Sequence, residues 1–367
     1  MRTNLLRALI VLSGLGLAVA AVAQSDISEL TEQTGIEAGG VALRDMPGWR
    51  APSKIVVRDI GISPNEIQGL MPGVEVIAAR NEADAIANAE GADAIIGWCS
   101  ERVISAATDA IWAQIFSAGA ERCMSTARIK NGSVVLTNMQ KMSSPVIAEH
   151  VIALTLGLAR QLPHYAGNMT SGEWRRSSGI TGGMQSVAGK TMLVVGLGGI
   201  GTEVARRAAA LDMRVIGTRR SSREGPEFVE YVGLSNELLE LAATADFIVV
   251  TLPLTAETTG LLDGEFFKAV KRGAVLINVG RGGTIVTDDL VAALESGQIA
   301  GAGLDVTDPE PLPADHPLWQ MDNVLITPHV AGRGGNRVRH AILLKENLRR
   351  FAAGDALLNV VDPELGY

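Results

Sequence analysis

Short apolar runs alternate with longer stretches of helical periodicity along most of this chain. From Lys54 onward, each apolar run is followed by a stretch in which apolar residues recur every three or four positions. The candidate strands of the first half are Ile55–Val57, Val74–Ala78, Ala94–Ile96, Ile115–Phe116 and Val134–Leu136. This alternation predicts βαβ units and a parallel sheet.

A second series of the same kind begins at Met192. Its candidate strands are Met192–Val195, Arg214–Ile216, Phe247–Thr251, Ala274–Asn278, Ala302–Asp305 and Val324–Ile326. A long helical pattern, Pro145–Leu162, is apolar on most faces and is expected to be buried between domains or subunits. A last helix, Asn336–Phe351, is expected to return to the first domain. We therefore expect an α/β fold of two doubly wound domains, with residues 147–330 inserted between residues 53–146 and 331–367.

The first residues have the three-part pattern of a secretory signal peptide. Arg2 and Arg7 precede an apolar run, Ala8–Ala23, that ends in small residues. We expect residues 1–23 to be removed after Ala23, residues 24–52 to form a linker, and the protein to be exported, for example to a periplasm. An uncleaved anchor is disfavoured because the run is shorter than the ~20 residues of a span, so we expect no membrane span after cleavage. Translation from Met46 would instead give a cytoplasmic chain.

Composition excludes several classes of function. The chain has 32 Lys and Arg against 40 Asp and Glu, a net charge of −8, and few aromatic residues, so a nucleic-acid partner is not expected. Its two cysteines, Cys99 and Cys123, cannot make a disulfide framework, although one bridge between them is possible. The carboxylates show no metal-ligand spacing, so no metal site is predicted.

A glycine-rich loop connects the strand at Met192 to the helical stretch Thr202–Leu211. The loop reads Gly196-Leu197-Gly198-Gly199-Ile200-Gly201, which is the dinucleotide-binding pattern in its required context. Gly196 permits the tight turn, Gly198 lets the backbone approach a pyrophosphate, and Gly201 lets helix and strand pack closely. The backbone N–H groups of Gly199 and Ile200 at the helix N-terminus are expected to face the phosphates.

The residue type at the end of the next strand indicates which dinucleotide is bound. An NAD site normally places Asp or Glu there, but this chain has Arg219, with Arg220, Ser221 and Arg223 close by. Such a set suits the 2′-phosphate of NADP through charge-assisted hydrogen bonds, whereas an ordinary solvated arginine cluster is the alternative. We expect NADP to be preferred, with NAD possible.

Several ordered motifs resemble those of the D-isomer-specific 2-hydroxyacid dehydrogenases. They are Leu252–Thr255 with Thr258, Asn278–Gly282, Gly303–Asp305, Glu310–Pro313, Asp315–Trp319 and Asn323–Gly332. The resemblance implies a Rossmann-like cofactor domain inserted into a flavodoxin-like substrate domain, and a homodimer. It also implies that the cofactor is contacted by Leu252, Pro253, Thr258, Val279 and Asp305.

The resemblance implies three catalytic residues, Arg281, Glu310 and His329. Reduction of a 2-keto acid needs a cation that binds the carboxylate and polarises the ketone, which the planar Arg281 guanidinium can do. It also needs a proton donor, and a carboxylate such as Glu310 would orient the His329 imidazole and stabilise its protonated form. Related formate dehydrogenases carry Gln in place of Glu310, so formate oxidation is disfavoured.

The family binds the substrate carboxylate partly with backbone N–H groups, which the resemblance places at Gly97, Trp98 and Cys99. These residues would bind the substrate together with Arg281. Cys99 is not expected to be a nucleophile, because this chemistry needs no covalent intermediate. We expect an NAD(P)-dependent oxidoreductase that reduces small 2-keto acids such as glyoxylate or hydroxypyruvate. The alternative is a dinucleotide-sensing binding module, as in the family's corepressors. Glu149 and His150 are expected to form a structural hydrogen-bonded pair.

Overall fold

The computed structural model describes residues 26–58, 63–174, 176, 183–335 and 337–364. Residues Ser143–Gly334 form one compact unit, called here the second unit. The described residues on either side of it form the first unit. The sequence pattern places these two borders at residues 146/147 and 330/331. The predicted signal peptide, residues 1–23, lies outside the described residues.

Helices and strands alternate along the chain. The helices are α1 (residues 26–34), α2 (Pro64–Leu70), α3 (Glu82–Ala87), α4 (Glu101–Ala106), α5 (Ala127–Lys130), α6 (Ser144–Ala159), α7 (Leu162–Ser171), α8 (Gly199–Ala209), α9 (Leu238–Ala242), α10 (Gly264–Ala269), α11 (Thr287–Glu295) and α12 (Arg337–Ala353). The strands are β1 (Lys54–Arg58), β2 (Glu75–Ala79), β3 (Ala94–Ile96), β4 (Trp112–Gln114), β5 (Val135–Thr137), β6 (Thr191–Val195), β7 (Arg214–Arg219), β8 (Tyr231–Leu234), β9 (Phe247–Val250), β10 (Ala274–Asn278), β11 (Ile299–Leu304) and β12 (Val324–Ile326).

Each unit contains one parallel sheet. The first unit has the order β2-β1-β3-β4-β5, which is the flavodoxin-like order. The second unit has the order β12-β11-β10-β9-β6-β7-β8, in which the direction of winding reverses between β6 and β9. Strands β6, β9 and β10 are buried along their whole length, as expected for a sheet covered on both faces. The predicted α/β fold of two doubly wound domains is confirmed.

Besides shifts of the bounds of several elements, three larger differences from the prediction stand out. The long helix predicted to reach Leu162 ends at Ala159, because Gln161 is left-handed (φ 54°) and a second helix starts with Pro163 in its first turn. Strand β4 precedes Ile115 and includes Gln114, whose buried side chain is satisfied by the carbonyl of Ile115. Strand β8 was not predicted, because only its two central residues are buried and its run is short.

The described part of the segment predicted to be a linker (residues 24–52), which is residues 26–52, belongs to the first unit. Residues 26–34 are helical, and four apolar side chains of the segment are buried in the core of this unit: Ile27, Leu30, Ile36 and Leu43. The linker prediction was wrong because the apolar residues are sparse, and their burial depends on partners such as Leu343 and Phe351 on α12. Among the helices described here, none combines the length and the apolar character that crossing a bilayer requires.

Candidate active site

The glycine-rich loop lies at the carboxyl end of β6, where the strand order reverses. A Cβ atom on Gly201 would lie 2.1 Å from the carbonyl oxygen of Gly196, so only glycine allows α8 to pack this closely on the loop. Gly196 itself is left-handed (φ 99°). A Cβ atom on Gly198 would meet no protein atom within 4 Å, so the backbone there is open to a ligand. Gly199 and Ile200 begin the helix, whose N–H groups and dipole suit phosphate.

Arg219 is the last residue of β7, the position that selects between the two dinucleotides. The end of this strand is tied to the glycine loop, because Leu197 N–H donates to the Thr218 carbonyl at 2.9 Å. Nε of Arg219 is buried and has no hydrogen-bond partner among the described residues. A buried, unpartnered guanidinium nitrogen at this place fits an anionic group such as a 2′-phosphate.

The neighbouring arginines and Ser221 have different environments. Arg220 and Ser221 follow β7 and are exposed. Hydrogen bonds from Thr255 and from its own backbone, with the charge of Arg220 as a smaller cause, hold the pKa of the Glu257 carboxyl below its usual value. Arg220 therefore lies beside the turn that follows β9.

Arg223 is not available to a ligand as the sequence suggested. Its guanidinium donates to Glu237 Oε1 at 2.6 Å and to the Tyr231 hydroxyl at 2.9 Å. The hydrogen bonds that the Glu237 carboxylate accepts from Arg223, from the Tyr231 hydroxyl and from the Leu234 N–H lower the pKa of Glu237 to about 2. Arg223 forms an ion pair with Glu237 at the surface. The sequence could not reveal this pair, because Glu237 is 14 residues away.

The loops after β9 and β10 pack backbone against backbone beside the glycine loop. The side chain of Leu252 contacts Gly196, and a Cβ atom on Gly280 would lie 2.5 Å from the Leu252 carbonyl oxygen. The Thr258 hydroxyl donates to the Pro253 carbonyl at 2.7 Å, which closes the turn after β9. Val279 is buried in the same hydrophobic cluster as Leu197 of the glycine loop. Four predicted cofactor residues, Leu252, Pro253, Thr258 and Val279, therefore lie in the two loops that border the dinucleotide loop.

Arg281 follows β10 and its backbone is held by two polar side chains. The Arg281 carbonyl accepts hydrogen bonds from Asn278 Nδ2 at 3.0 Å and from the Thr284 hydroxyl at 2.7 Å. A Cβ atom on Gly282 would lie 2.0 Å from the Thr307 carbonyl oxygen, so this turn requires glycine. Asn278 and Thr284 were missed as positioning residues, although an asparagine at the end of an apolar strand was a readable signal.

His329 and Glu310 come together as predicted by the resemblance. The imidazole Nδ1 lies 2.8 Å from Glu310 Oε1, and the two side chains are 49% and 46% exposed. His329 is left-handed (φ 52°), a conformation held by its N–H, which donates to the Asp305 carbonyl at 2.8 Å. Within the described part of the chain, the second ring nitrogen, Nε2, makes no hydrogen bond and is open to a substrate.

Asp305 anchors the loop that carries His329. This carboxylate is buried and accepts hydrogen bonds from the Thr327 hydroxyl (2.6 Å) and from the backbone N–H groups of Val330 (2.9 Å) and Ala331 (3.0 Å). Asp305 directly follows β11, the place from which a cofactor contact was predicted. Both its oxygens also accept hydrogen bonds within the protein.

His150 and Glu149, on α6, have separate partners. His150 Nε2 lies 2.9 Å from the Thr327 hydroxyl, and Glu149 faces Arg207 at 3.5 Å, so the two do not pair with each other as expected. Across the described ranges, no three His, Cys, Asp or Glu side chains converge in a way that could hold a metal ion.

The loop Gly97–Cys99 belongs to the first unit and follows β3. Gly97 is left-handed (φ 104°), and a Cβ atom there would lie 2.5 Å from Cβ of Arg58. Arg58 also lies over the Trp98 ring, with Cζ 6.0 Å from the ring centroid. Cys99 forms a disulfide with Cys123. The predicted substrate residues are thus in one unit, and Arg281, Glu310 and His329 are in the other.

Residues 152–331 match the NAD binding domain of the D-isomer specific 2-hydroxyacid dehydrogenases. A glyoxylate reductase/hydroxypyruvate reductase of Mus musculus is 34% identical over 278 residues, which are 73% of this chain and 83% of that protein. Glyoxylate/hydroxypyruvate reductase B of Citrobacter koseri is 34% identical over 303 residues, 80% of this chain and 91% of that protein.

Two solved structures have folds similar to that of this chain. A D-isomer specific 2-hydroxyacid dehydrogenase from Xanthobacter autotrophicus in complex with NADPH and MES has a TM-score of 0.73 at 31% identity, covering 86% of this chain and 100% of that chain. An NADPH-dependent glyoxylate/hydroxypyruvate reductase from Sinorhizobium meliloti in complex with NADP and sulfate has a TM-score of 0.72 at 30% identity, with the same two coverages.

Proposed function

Since the chain belongs to the D-isomer specific 2-hydroxyacid dehydrogenase family, we propose that it reduces small 2-keto acids, with glyoxylate and hydroxypyruvate as the first candidates. The observation that carries this proposal is the contact between His329 and Glu310 in the same unit as Arg281 and the open glycine loop. A cation, an oriented proton donor and a dinucleotide loop are the parts that this reduction needs.

The roles of the side chains follow from their geometry. A bound nicotinamide supplies the hydride that is added to C2 of the keto acid. Arg281 binds the substrate carboxylate and polarises the ketone, because a planar guanidinium can donate two parallel hydrogen bonds. His329 donates a proton from Nε2 to the carbonyl oxygen. Glu310 accepts from Nδ1 at 2.8 Å and thereby orients the ring and stabilises its charge.

A spectrophotometric screen tests the activity. We expect purified protein to consume NADPH in the presence of glyoxylate or hydroxypyruvate, followed at 340 nm. Pyruvate, which lacks the hydroxyl group of hydroxypyruvate, and the larger 2-ketoglutarate serve as comparison substrates. Tight NADPH binding without turnover of any 2-keto acid would contradict the proposal and support the dinucleotide-sensing alternative.

We propose that NADP is the preferred dinucleotide because Arg219 presents a buried, unpartnered Nε where an acid would select NAD. Arg219→Ala is expected to raise the KM for NADPH about tenfold or more, since a charge-assisted bond to the phosphate is lost, and to leave the KM for NADH nearly unchanged. Arg223→Ala is the matched control, because Arg223 is bonded to Glu237. If both variants changed the ratio of the KM for NADPH to the KM for NADH equally, the assignment of Arg219 would be wrong.

We propose that the protein is a homodimer. Four large apolar side chains are exposed on or near α7: Leu162 (57%), Met169 (81%), Trp174 (94%) and Met184 (51%). Exposed apolar surface of this kind is typical of a protein interface. Light scattering after size exclusion measures the mass, and a monomer at micromolar concentration would contradict the proposal.

We also propose that the protein is exported. The signal-like residues 1–23 support this, as does the Cys99–Cys123 disulfide, since such bonds persist mainly in oxidising compartments. N-terminal sequencing of the native protein distinguishes a chain that starts at Gln24 from one that starts at Met46.

A further inference from the structure

The loop that follows β3, together with the first residue of α4, is joined to a second segment, residues 120–127, by three contacts. Cys99 is bonded to Cys123, with the Cα atoms 5.2 Å apart. The Thr126 hydroxyl donates to the Cys99 carbonyl at 2.6 Å, and Ala127 N–H donates to Glu101 Oε2 at 2.8 Å. The disulfide is covalent, whereas the other two contacts are hydrogen bonds.

The second segment is itself anchored. Cys123 is 2% exposed and Thr126 is fully buried. Cys123 N–H donates to the Ala120 carbonyl at 2.8 Å, and Thr126 N–H donates to the Cys123 carbonyl at 3.0 Å. The segment continues into α5, whose Ile129 is buried in the same cluster as Val103 and Ile104 of α4. The disulfide therefore joins a surface loop to a fixed part of the core.

The loop presents two backbone donors. Gly97 N–H is used by the Gln114 carbonyl at 2.6 Å, so it is not available to a substrate. Among the described residues, no acceptor is bonded to the N–H groups of Trp98 and Cys99. Both residues are partly exposed. Two adjacent amides with no internal acceptor are suited to a carboxylate, and one of them belongs to the cysteine that carries the bridge.

We propose that the Cys99–Cys123 disulfide is a positioning device that holds the Trp98 and Cys99 amides in the orientation that binds the substrate carboxylate. This inference rests on the proposed reduction of 2-keto acids and deepens it. One of the two amides belongs to the bridged residue Cys99 and the other to its neighbour Trp98, so the bridge restricts the backbone rotations that orient both. No bond of the cystine is made or broken during turnover.

Reduction of the bridge provides the test. The full chain is assayed in its oxidised form, after reduction by a phosphine, and as the Cys99→Ala/Cys123→Ala double variant. We expect the KM for glyoxylate to rise about tenfold in the last two forms, because one misaligned charge-assisted hydrogen bond is worth about that factor. We expect kcat to change by less than about twofold, since Arg281, Glu310 and His329 are in the other unit.

Three controls separate positioning from general stability. Alkylation and mass measurement verify that both thiols are free after reduction. The phosphine should leave the double variant unchanged, and NADPH affinity, measured by its fluorescence, should be equal in all three forms. A purely structural bridge would lower the melting temperature and the active fraction, and hence kcat, with an unchanged KM, which would overturn the proposal.

A probe that is not turned over distinguishes this proposal from the proposed function. Oxalate binding to the NADPH-loaded protein, measured by calorimetry, should weaken about tenfold on reduction of the bridge. Equal oxalate affinity in the oxidised and reduced forms, or no binding in either, would overturn the positioning role. Failure of the oxidised protein to reduce any 2-keto acid, with oxalate binding still dependent on the bridge, would overturn the proposed function alone.

Discussion

His329→Ala is expected to lower kcat by about 10²–10⁴-fold, which is the usual contribution of a positioned general acid. The imidazole is the proposed proton donor, and its orientation depends on Glu310 Oε1 at 2.8 Å. The alanine variant keeps the glycine loop and Arg219, so its affinity for NADPH should be unchanged. Initial rates at saturating glyoxylate and NADPH, with NADPH fluorescence for binding, give both quantities.

Two further variants sharpen the His329 prediction. Glu310→Gln keeps an oxygen acceptor for Nδ1 but removes the charge that stabilises the protonated ring, so we expect a smaller loss in kcat, of about tenfold. His316→Ala is the matched control in the same unit, because among the described residues the His316 ring makes a single hydrogen bond, accepted from Leu318 N–H at 3.3 Å. Wild-type kcat in His329→Ala would refute the mechanism.

Arg281→Lys is expected to lower kcat/KM for glyoxylate by about 10²–10³-fold, in the range found for the loss of one electrostatic donor to the reacting oxygen. Lysine keeps the positive charge but cannot donate two parallel hydrogen bonds to a carboxylate. The Arg281 backbone is held by Asn278 and Thr284, so the substitution should leave the turn intact.

Arg272→Lys is the control for this substitution, since Arg272 is exposed and its Nη2 donates to the Ser296 carbonyl at 3.0 Å. Its kcat/KM should equal that of the parent. Melting temperatures of the two variants show whether either has lost stability. An Arg281→Lys enzyme with parental kcat/KM would mean that another group binds the carboxylate.

Much of the second unit could be predicted from the sequence. Strand β10 was predicted with the same bounds because its five residues are all apolar except the last, and a buried parallel strand leaves such an uninterrupted run. The glycine loop could be predicted because each glycine answers a local steric demand, as the 2.1 Å approach of a Gly201 Cβ to Gly196 shows. Strand β8 was not predicted, because an edge strand with only two buried residues does not produce an uninterrupted apolar run.

The proposed catalytic residues could be named from motifs in chain order, but their contacts could not. His329 and Glu310 are 19 residues apart, and their hydrogen bond exists because the loop after β12 returns to the loop after β11. The hydrogen bonds of Asp305 could not be predicted for the same reason. Its partners lie 22 to 26 residues further on, and only the folded loop shows that they occupy both oxygens.

By itself, the sequence determined the order of most elements, the dinucleotide loop and the residue types of the proposed site. These features depend on neighbours in the chain and on local sterics. The tertiary structure alone decided which charges remain available to ligands: Arg219 keeps an unpartnered Nε, whereas Arg223 is paired with Glu237. It also joined Cys99 to Cys123, next to the Trp98 and Cys99 N–H groups that have no acceptor among the described residues. Whether a polar group is free depends on distant partners that folding brings within about 3 Å, and no local pattern records that distance.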